Sequence, residues 1–121
     1  MARSLMVEGA VAPAVECCAP IARKRITDQE AEATAILFKA LSDPHRVRLF
    51  NLLANSDAPM CVCDLTDQIK LSQATTSFHL KKLAAAGLIE REQRGTWAYY
   101  SINRDALARL AGVVESGRRR K

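Results

Sequence analysis

Four cysteines are the residues of this 121-residue chain best suited to chemistry, and they fall two and two. Cys17 and Cys18 are adjacent, while Cys61 and Cys63 flank Val62. Thiolates are soft ligands and nucleophiles, so this grouping points to metal binding or thiol redox chemistry more readily than to structural disulfides. Neither pair has the C-x-x-C spacing of a zinc ribbon or a thioredoxin-like site, which counts against the rival class, a small thiol metallochaperone or oxidoreductase. Residues two apart on a regular helix point about 200° away from each other. Cys61 and Cys63 therefore converge only if Cys61 precedes its helix or the first turn is irregular. No acid/base pair, glycine-rich phosphate loop or nucleophile–base arrangement is visible, and the chain reads as a non-enzyme.

The elements that must position these thiols follow from the apolar spacing. Residues 1–27 contain Pro13 and Pro20, few large apolar groups and no sustained period, so they read as a flexible N-terminal arm carrying Cys17 and Cys18. From about Thr27, the residues Ala33, Ile36, Leu37, Ala40 and Leu41 take helical spacing, with Asp28, Glu30 and Glu32 near the end that the helix dipole favours for acids. Asp43-Pro44 stops that helix and starts a second, running to about Ala54 with an expected apolar face of Val47, Phe50 and Leu53 beside Leu49 and Leu52. Val62, Leu65 and Ile69 suggest a short helix, Lys70-Leu71 a tight turn, and Ser72 the N-cap of a further helix that Gly87 ends. Residues 89–94 and 97–102 read as a β-hairpin around Gly95, and a last helix from about Arg104 offers Leu107, Leu110, Ala111 and Val114 as its apolar stripe. The expected fold is mainly α with a small β-hairpin (α+β). A short helix and tight turn feeding a second helix, then a hairpin, is the order of a winged helix-turn-helix, here spanning residues 28–117.

Charge supports a polyanionic partner for the second half. Residues 1–71 carry 8 basic against 9 acidic groups, whereas residues 72–121 carry 10 against 4, helped by a basic tail over residues 118–121. The helix beginning at Ser72 presents small hydrogen-bonding residues of the kind that enter a major groove. Gln73 suits adenine, and Ser72, Thr75, Thr76 and Ser77 suit bases or phosphates, with His79 and Lys81 or Lys82 directed at the backbone. Arg91 and Arg94 form the expected wing contact, Gly95 letting the turn approach closely, although Glu90 and Glu92 interleave with them. The longest apolar candidate near the start, residues 9–15, is too short and too broken by Pro13 for a signal or membrane helix, which gives the expectation of a soluble cytoplasmic protein.

Residues 38–49, Cys61-Val62-Cys63-Asp64-Leu65, residues 71–83, Ala86-Gly87-Leu88-Ile89 and Arg94-Gly95-Thr96-Trp97-Ala98-Tyr99-Tyr100 together resemble the ArsR/SmtB family of metal-responsive transcriptional repressors, over roughly residues 30–115. The resemblance implies a homodimer paired through its first and last helices, which binds palindromic double-stranded operator DNA and releases it when metal binds. Phe78 stands where the family often has His, and Ala74 where Pro is common. Cys61-Val62-Cys63 matches the family's metal box, but Thr66 occupies the place where the arsenite-sensing form often has a third cysteine. Soft thiolates select As(III) and Sb(III) as three-sulfur sites, or Cd(II), Pb(II) and Zn(II) with three or four sulfurs. The expected site combines Cys17 and Cys18 with Cys61 or Cys63 or both, with arsenite or antimonite as inducer. Cd(II), Pb(II), Zn(II) and a thiol redox signal are the alternatives. The family's carboxylate–histidine site on the last helix is not expected, because residues 104–115 offer only Asp105 and Glu115.

Overall fold

The computed structural model describes Pro20, Ile21 and residues 25–115; most of the expected arm, including Cys17 and Cys18, and the basic tail lie outside the described residues. The described elements are α1 (Asp28–Ala40), α2 (Pro44–Ala54), β1 (Met60–Cys61), α3 (Val62–Ile69), α4 (Gln73–Ala85), β2 (Ile89–Arg94), β3 (Trp97–Ile102) and α5 (Arg104–Val114). Among them no helix is long and apolar enough to cross a membrane.

Local side chains set the helix ends. Thr27 and Glu30 form a capping box, Thr27 Oγ1 accepting from Glu30 N–H at 3.0 Å and Glu30 Oε1 accepting from Thr27 N–H at 2.9 Å. Asp43 Oδ1 accepts from His45 N–H at 2.8 Å with Pro44 at the first helical position, as the sequence predicts. Desolvation pushes the Asp43 carboxyl up, but the backbone donors of His45 and Arg46 outweigh it and hold the carboxyl below its ordinary value. At the far end of α4, Gly87 takes φ +81°, and bonds from Leu88 N–H to Leu83 O and from Gly87 N–H to Ala84 O close the helix in a Schellman turn. Asn103 ties that turn to α5. Its Nδ2 donates to Gly87 O at 3.0 Å, and its Oδ1 caps α5 through Ala106 N–H.

The core lies between α2, α3, α4 and the sheet. Leu49, Leu53, Leu65, Leu80, Leu83 and Leu88 are essentially inaccessible, with Leu37 of α1 and Ala106 of α5 closing the sides. Each such leucine contributes about 1.5–3 kcal/mol through apolar burial. Two expected core positions turn outward: Ile36 and Val47 are about half exposed, and Leu49 takes the buried place on α2. On α5 the inward residues are Ala106 and Val113, with Leu107 and Leu110 half-buried, while Ala111 and Val114 face outward.

The sheet is larger than the expected hairpin. β2 and β3 pair antiparallel from Ile89 opposite Ile102 to Arg94 opposite Trp97, and β1 adds a third strand, giving the order β1-β3-β2. Met60 lies opposite Tyr100 and Cys61 opposite Tyr99. A two-residue strand carries too little alternation to be read from sequence.

Candidate functional site

α3 and α4 meet through a tight turn in which Lys70 takes φ +61° and its N–H bonds to Thr66 O at 2.9 Å. Ser72 caps α4 as expected: its Oγ accepts from Thr75 N–H at 3.1 Å and donates to Thr75 Oγ1 at 2.8 Å. α4 then divides into two faces. Thr76, His79, Leu80 and Leu83 recur at helical spacing and are buried. Ser72, Gln73, Thr75, Phe78, Lys81 and Lys82 are exposed and Ser77 is partly so. Within the described residues no hydrogen bond occupies the Gln73 amide, which leaves donor and acceptor free for a bidentate contact.

Two of the expected DNA contacts are corrected by this division. Thr76 is 0% exposed and its hydroxyl donates to Ser72 O at 2.9 Å, because it sits one turn before Leu80 on the core side. It cannot reach a base. His79 is 7% exposed, and its Nδ1 lies 3.2 Å from Arg46 Nη1. Since a guanidinium only donates, Nδ1 is the acceptor there. Arg46 also donates from Nε to Ala40 O at 2.6 Å, so one side chain joins the end of α1, the start of α2 and the middle of α4. His45, distant from His79 in sequence, packs its ring 5.6 Å from that of His79. Phe78 points outward, 53% exposed, with Lys82 Nζ 5.3 Å from its ring centre.

The hairpin projects its own cations. Gly95 at the turn takes φ +61°, a conformation that favours glycine. Arg91 donates to Gln93 Oε1 at 2.6 Å. Arg94 pairs with Glu92 at 3.1 Å and lays its guanidinium 4.5 Å from the Tyr99 ring centre. The hydrogen bond to Arg94 holds the Glu92 carboxyl below its ordinary value, and the same bond raises the guanidinium. Arg91 and Arg94 are both exposed and so remain available to a polyanion.

The box cysteines converge for the reason their spacing allows. Cys61 ends β1 and caps α3 with extended backbone (φ −64°, ψ 143°), so its side chain turns toward Cys63 in the first turn. Their Cα atoms are 5.2 Å apart and the sulfurs meet as a disulfide; Cys61 Sγ accepts from Cys63 N–H at 3.2 Å. Cys61 is 6% exposed and Cys63 half-buried. Once reduced, this is a paired soft-donor site at the entrance to the reading helices. Among the described residues no cluster of three or more Cys, His, Asp or Glu exists that would complete a metal site. Thr66, in the place of a third box cysteine, spends its hydroxyl on Val62 O.

A buried-faced helix carrying exposed hydrogen-bonding residues, set by a tight turn and flanked by a hairpin that exposes Arg91 and Arg94, defines the class of winged helix-turn-helix DNA-binding proteins. Residues 43–91 match the family described as bacterial regulatory protein, arsR family. The chain is 34% identical over 101 residues to the putative arsenical resistance operon repressor ArsR2 of Halobacterium salinarum, covering 83% of this chain and 82% of that one. It is 35% identical to the cadmium resistance transcriptional regulatory protein CadC homolog of Staphylococcus aureus, over 74% of this chain and 73% of that one. Among solved structures, the homodimeric winged helix-turn-helix domain Mb0332 of Mycobacterium bovis, a possible ArsR-family regulator, matches with a TM-score of 0.60 and 27% identity, over 74% of this chain and 84% of that one. The chain belongs to the ArsR family of transcriptional regulators; it is a DNA-binding regulator and not an enzyme.

Proposed function

We propose that the protein is a homodimeric repressor that holds its operator when reduced and unliganded, and releases it when thiolates capture arsenite or antimonite. The observation that carries this reading is the meeting of the Cys61 and Cys63 sulfurs at the N-cap of α3, where any ligand is coupled directly to the reading head. Two soft sulfurs suit a thiophilic ion but fall one short of the three that As(III) takes. In this reading Cys17 and Cys18, from the same or the partner subunit, join one box cysteine to make the three sulfurs of As(III), or both box cysteines for a four-sulfur divalent ion. The capture is a condensation without redox change: each thiol replaces one hydroxyl of arsenous acid, an As–S bond forms and one water leaves.

Ser72, Gln73, Thr75 and Ser77 face the major groove, Lys82 the phosphates, and Arg91 and Arg94 the adjacent backbone or minor groove. Pairing through α1 and α5 covers Phe38 and Val114, which the single chain leaves exposed. The similarity to a cadmium resistance regulator favours Cd(II) as the second reading of the inducer.

Fluorescence anisotropy of the reduced chain on DNA from upstream of its own gene tests the reading. Release at near-stoichiometric arsenite is expected, with DNA binding intact and release abolished in the Cys17→Ser/Cys18→Ser variant. Release by CdCl2 but not by arsenite transfers the site to a divalent ion, and loss of DNA binding in that variant would defeat the division of labour between arm and reading head.

A further inference from the structure

The thiol pair and the wing are parts of one sheet. Cys61 is the last residue of β1 and lies directly opposite Tyr99 on β3; Tyr99 in turn lies opposite Glu92 on β2. Side chains directly opposite in an antiparallel pair share a face, with Cβ atoms about 4.5–5.5 Å apart. The row therefore runs from thiol to ring to carboxylate across the sheet. It ends on Arg94, whose guanidinium rests on the Tyr99 ring at 4.5 Å and pairs with Glu92 at 3.1 Å. The opposite face of β3 is fixed, because Tyr100 and Ile102 are buried in the core. The strand cannot slide without breaking that packing, whereas the half-buried Tyr99 ring lies at the margin of the core, between it and the Arg94 guanidinium.

Cys61 is 6% exposed and Cys63 half-buried, so an ion held by both sulfurs presses on the side chains packed around Cys61. The residue directly opposite it is Tyr99, whose ring is the platform of Arg94. We propose that Tyr99 is a positioning residue that relays occupancy of the Cys61–Cys63 pair to Arg94 on the wing. This rests on the thiol-capture reading above. It adds a second route of control, because α3 carries the ligand's effect into α4 while the sheet carries it into the hairpin.

The single tryptophan, Trp97, provides the readout: it lies opposite Arg94 at the end of the hairpin and is about half exposed. The reduced full-length chain, free of DNA, is titrated with sodium arsenite while Trp97 emission is followed and consumed thiols are counted with a disulfide reagent. Wild type and Tyr99→Phe, which keeps the ring, are expected to change emission as thiols are consumed. Tyr99→Leu is expected to consume the same number of thiols with no emission change. Its apo affinity for operator falls about 2- to 5-fold, the worth of a solvent-exposed cation–π contact, and arsenite weakens its DNA binding less than it weakens wild type. Should the Leu variant fold poorly, Tyr99→Val, a β-branched residue suited to a strand, replaces it. An emission change in the Leu or Val variant equal to that of wild type overturns the relay. If arsenite consumes no thiols in wild type, the arsenite reading fails instead, and the same titration with CdCl2 decides the relay by the same contrast; silence of Trp97 to both ions overturns it.

Discussion

Removing the His79 imidazole tests how α4 is seated. In His79→Leu the Arg46 guanidinium loses an acceptor 3.2 Å away but keeps its bond to Ala40 O, whereas Arg46→Met loses both. A hydrogen bond to a charged group is worth about 1.5–3 kcal/mol. The His79→Leu loss is thus about 1.5–2 kcal/mol and the Arg46→Met loss about 3 kcal/mol, with a coupling between the two of about 1–1.5 kcal/mol in a double-mutant cycle. For a domain of this size, about 1 kcal/mol moves Tm by about 4–8 °C, so thermal unfolding followed by circular dichroism resolves each step. The second measurement is the salt dependence of operator binding well below Tm. Because His79 faces the core, its loss lowers operator affinity while leaving the slope of log K against log salt unchanged; a phosphate-contacting group lowers that slope by about 0.9. A coupling near zero together with a shallower slope would place His79 on the DNA and refute the two-faced reading of α4.

Gln73→Ala is expected to weaken operator binding by about 1–3 kcal/mol and leave non-specific binding nearly unchanged, whereas Lys82→Ala weakens both and lowers the salt slope by about one, all read by anisotropy on specific and scrambled duplexes. The depressed Asp43 carboxyl gives a pH prediction. A carboxyl held below its unfolded value stabilises the fold fully above that value, near 4, and loses the contribution as pH falls through the lower folded value. Asp43→Asn is therefore expected to lower Tm at pH 7 relative to wild type, with the difference closing below about pH 4 in a Tm-against-pH series.

The parts of this fold set by local chemistry were readable without coordinates. Asp43-Pro44, Ser72 and Gly87 mark helix ends through their own hydrogen-bonding and φ preferences, and the structure has them in those roles. The faces of α4 are only partly legible in the sequence: its small polar residues point to the groove, but Thr76, Leu80 and Leu83 at i, i+4 and i+7 mark Thr76 as inward. Arg46 and Tyr99 lay beyond local reasoning. One matters through a bond to His79 and the other through pairing with Cys61, contacts between residues distant in the chain that exist only once the sheet and the α2–α4 packing have formed.

Cys61 combines three duties at one position: last ladder residue of β1, N-cap of α3 and thiol donor. A helix alone would not select it. Ser, Thr, Asp and Asn are the strong N-caps, and a thiol sulfur is a weak acceptor, so the 3.2 Å bond from Cys63 N–H is a poorer cap than a hydroxyl in the same place would make. The backbone conformation that suits a cap is also what brings its sulfur onto that of Cys63, which a regular helix would hold on opposite sides. Cysteine at this position thus weakens the cap of a short helix and gains a soft-donor pair where strand, reading helix and wing hairpin meet. Under the proposed relay, a ligand held there acts on α4 through the first turn of α3 and on Arg94 through the Tyr99 row, so the two proposed DNA-facing surfaces answer to one pair of sulfurs.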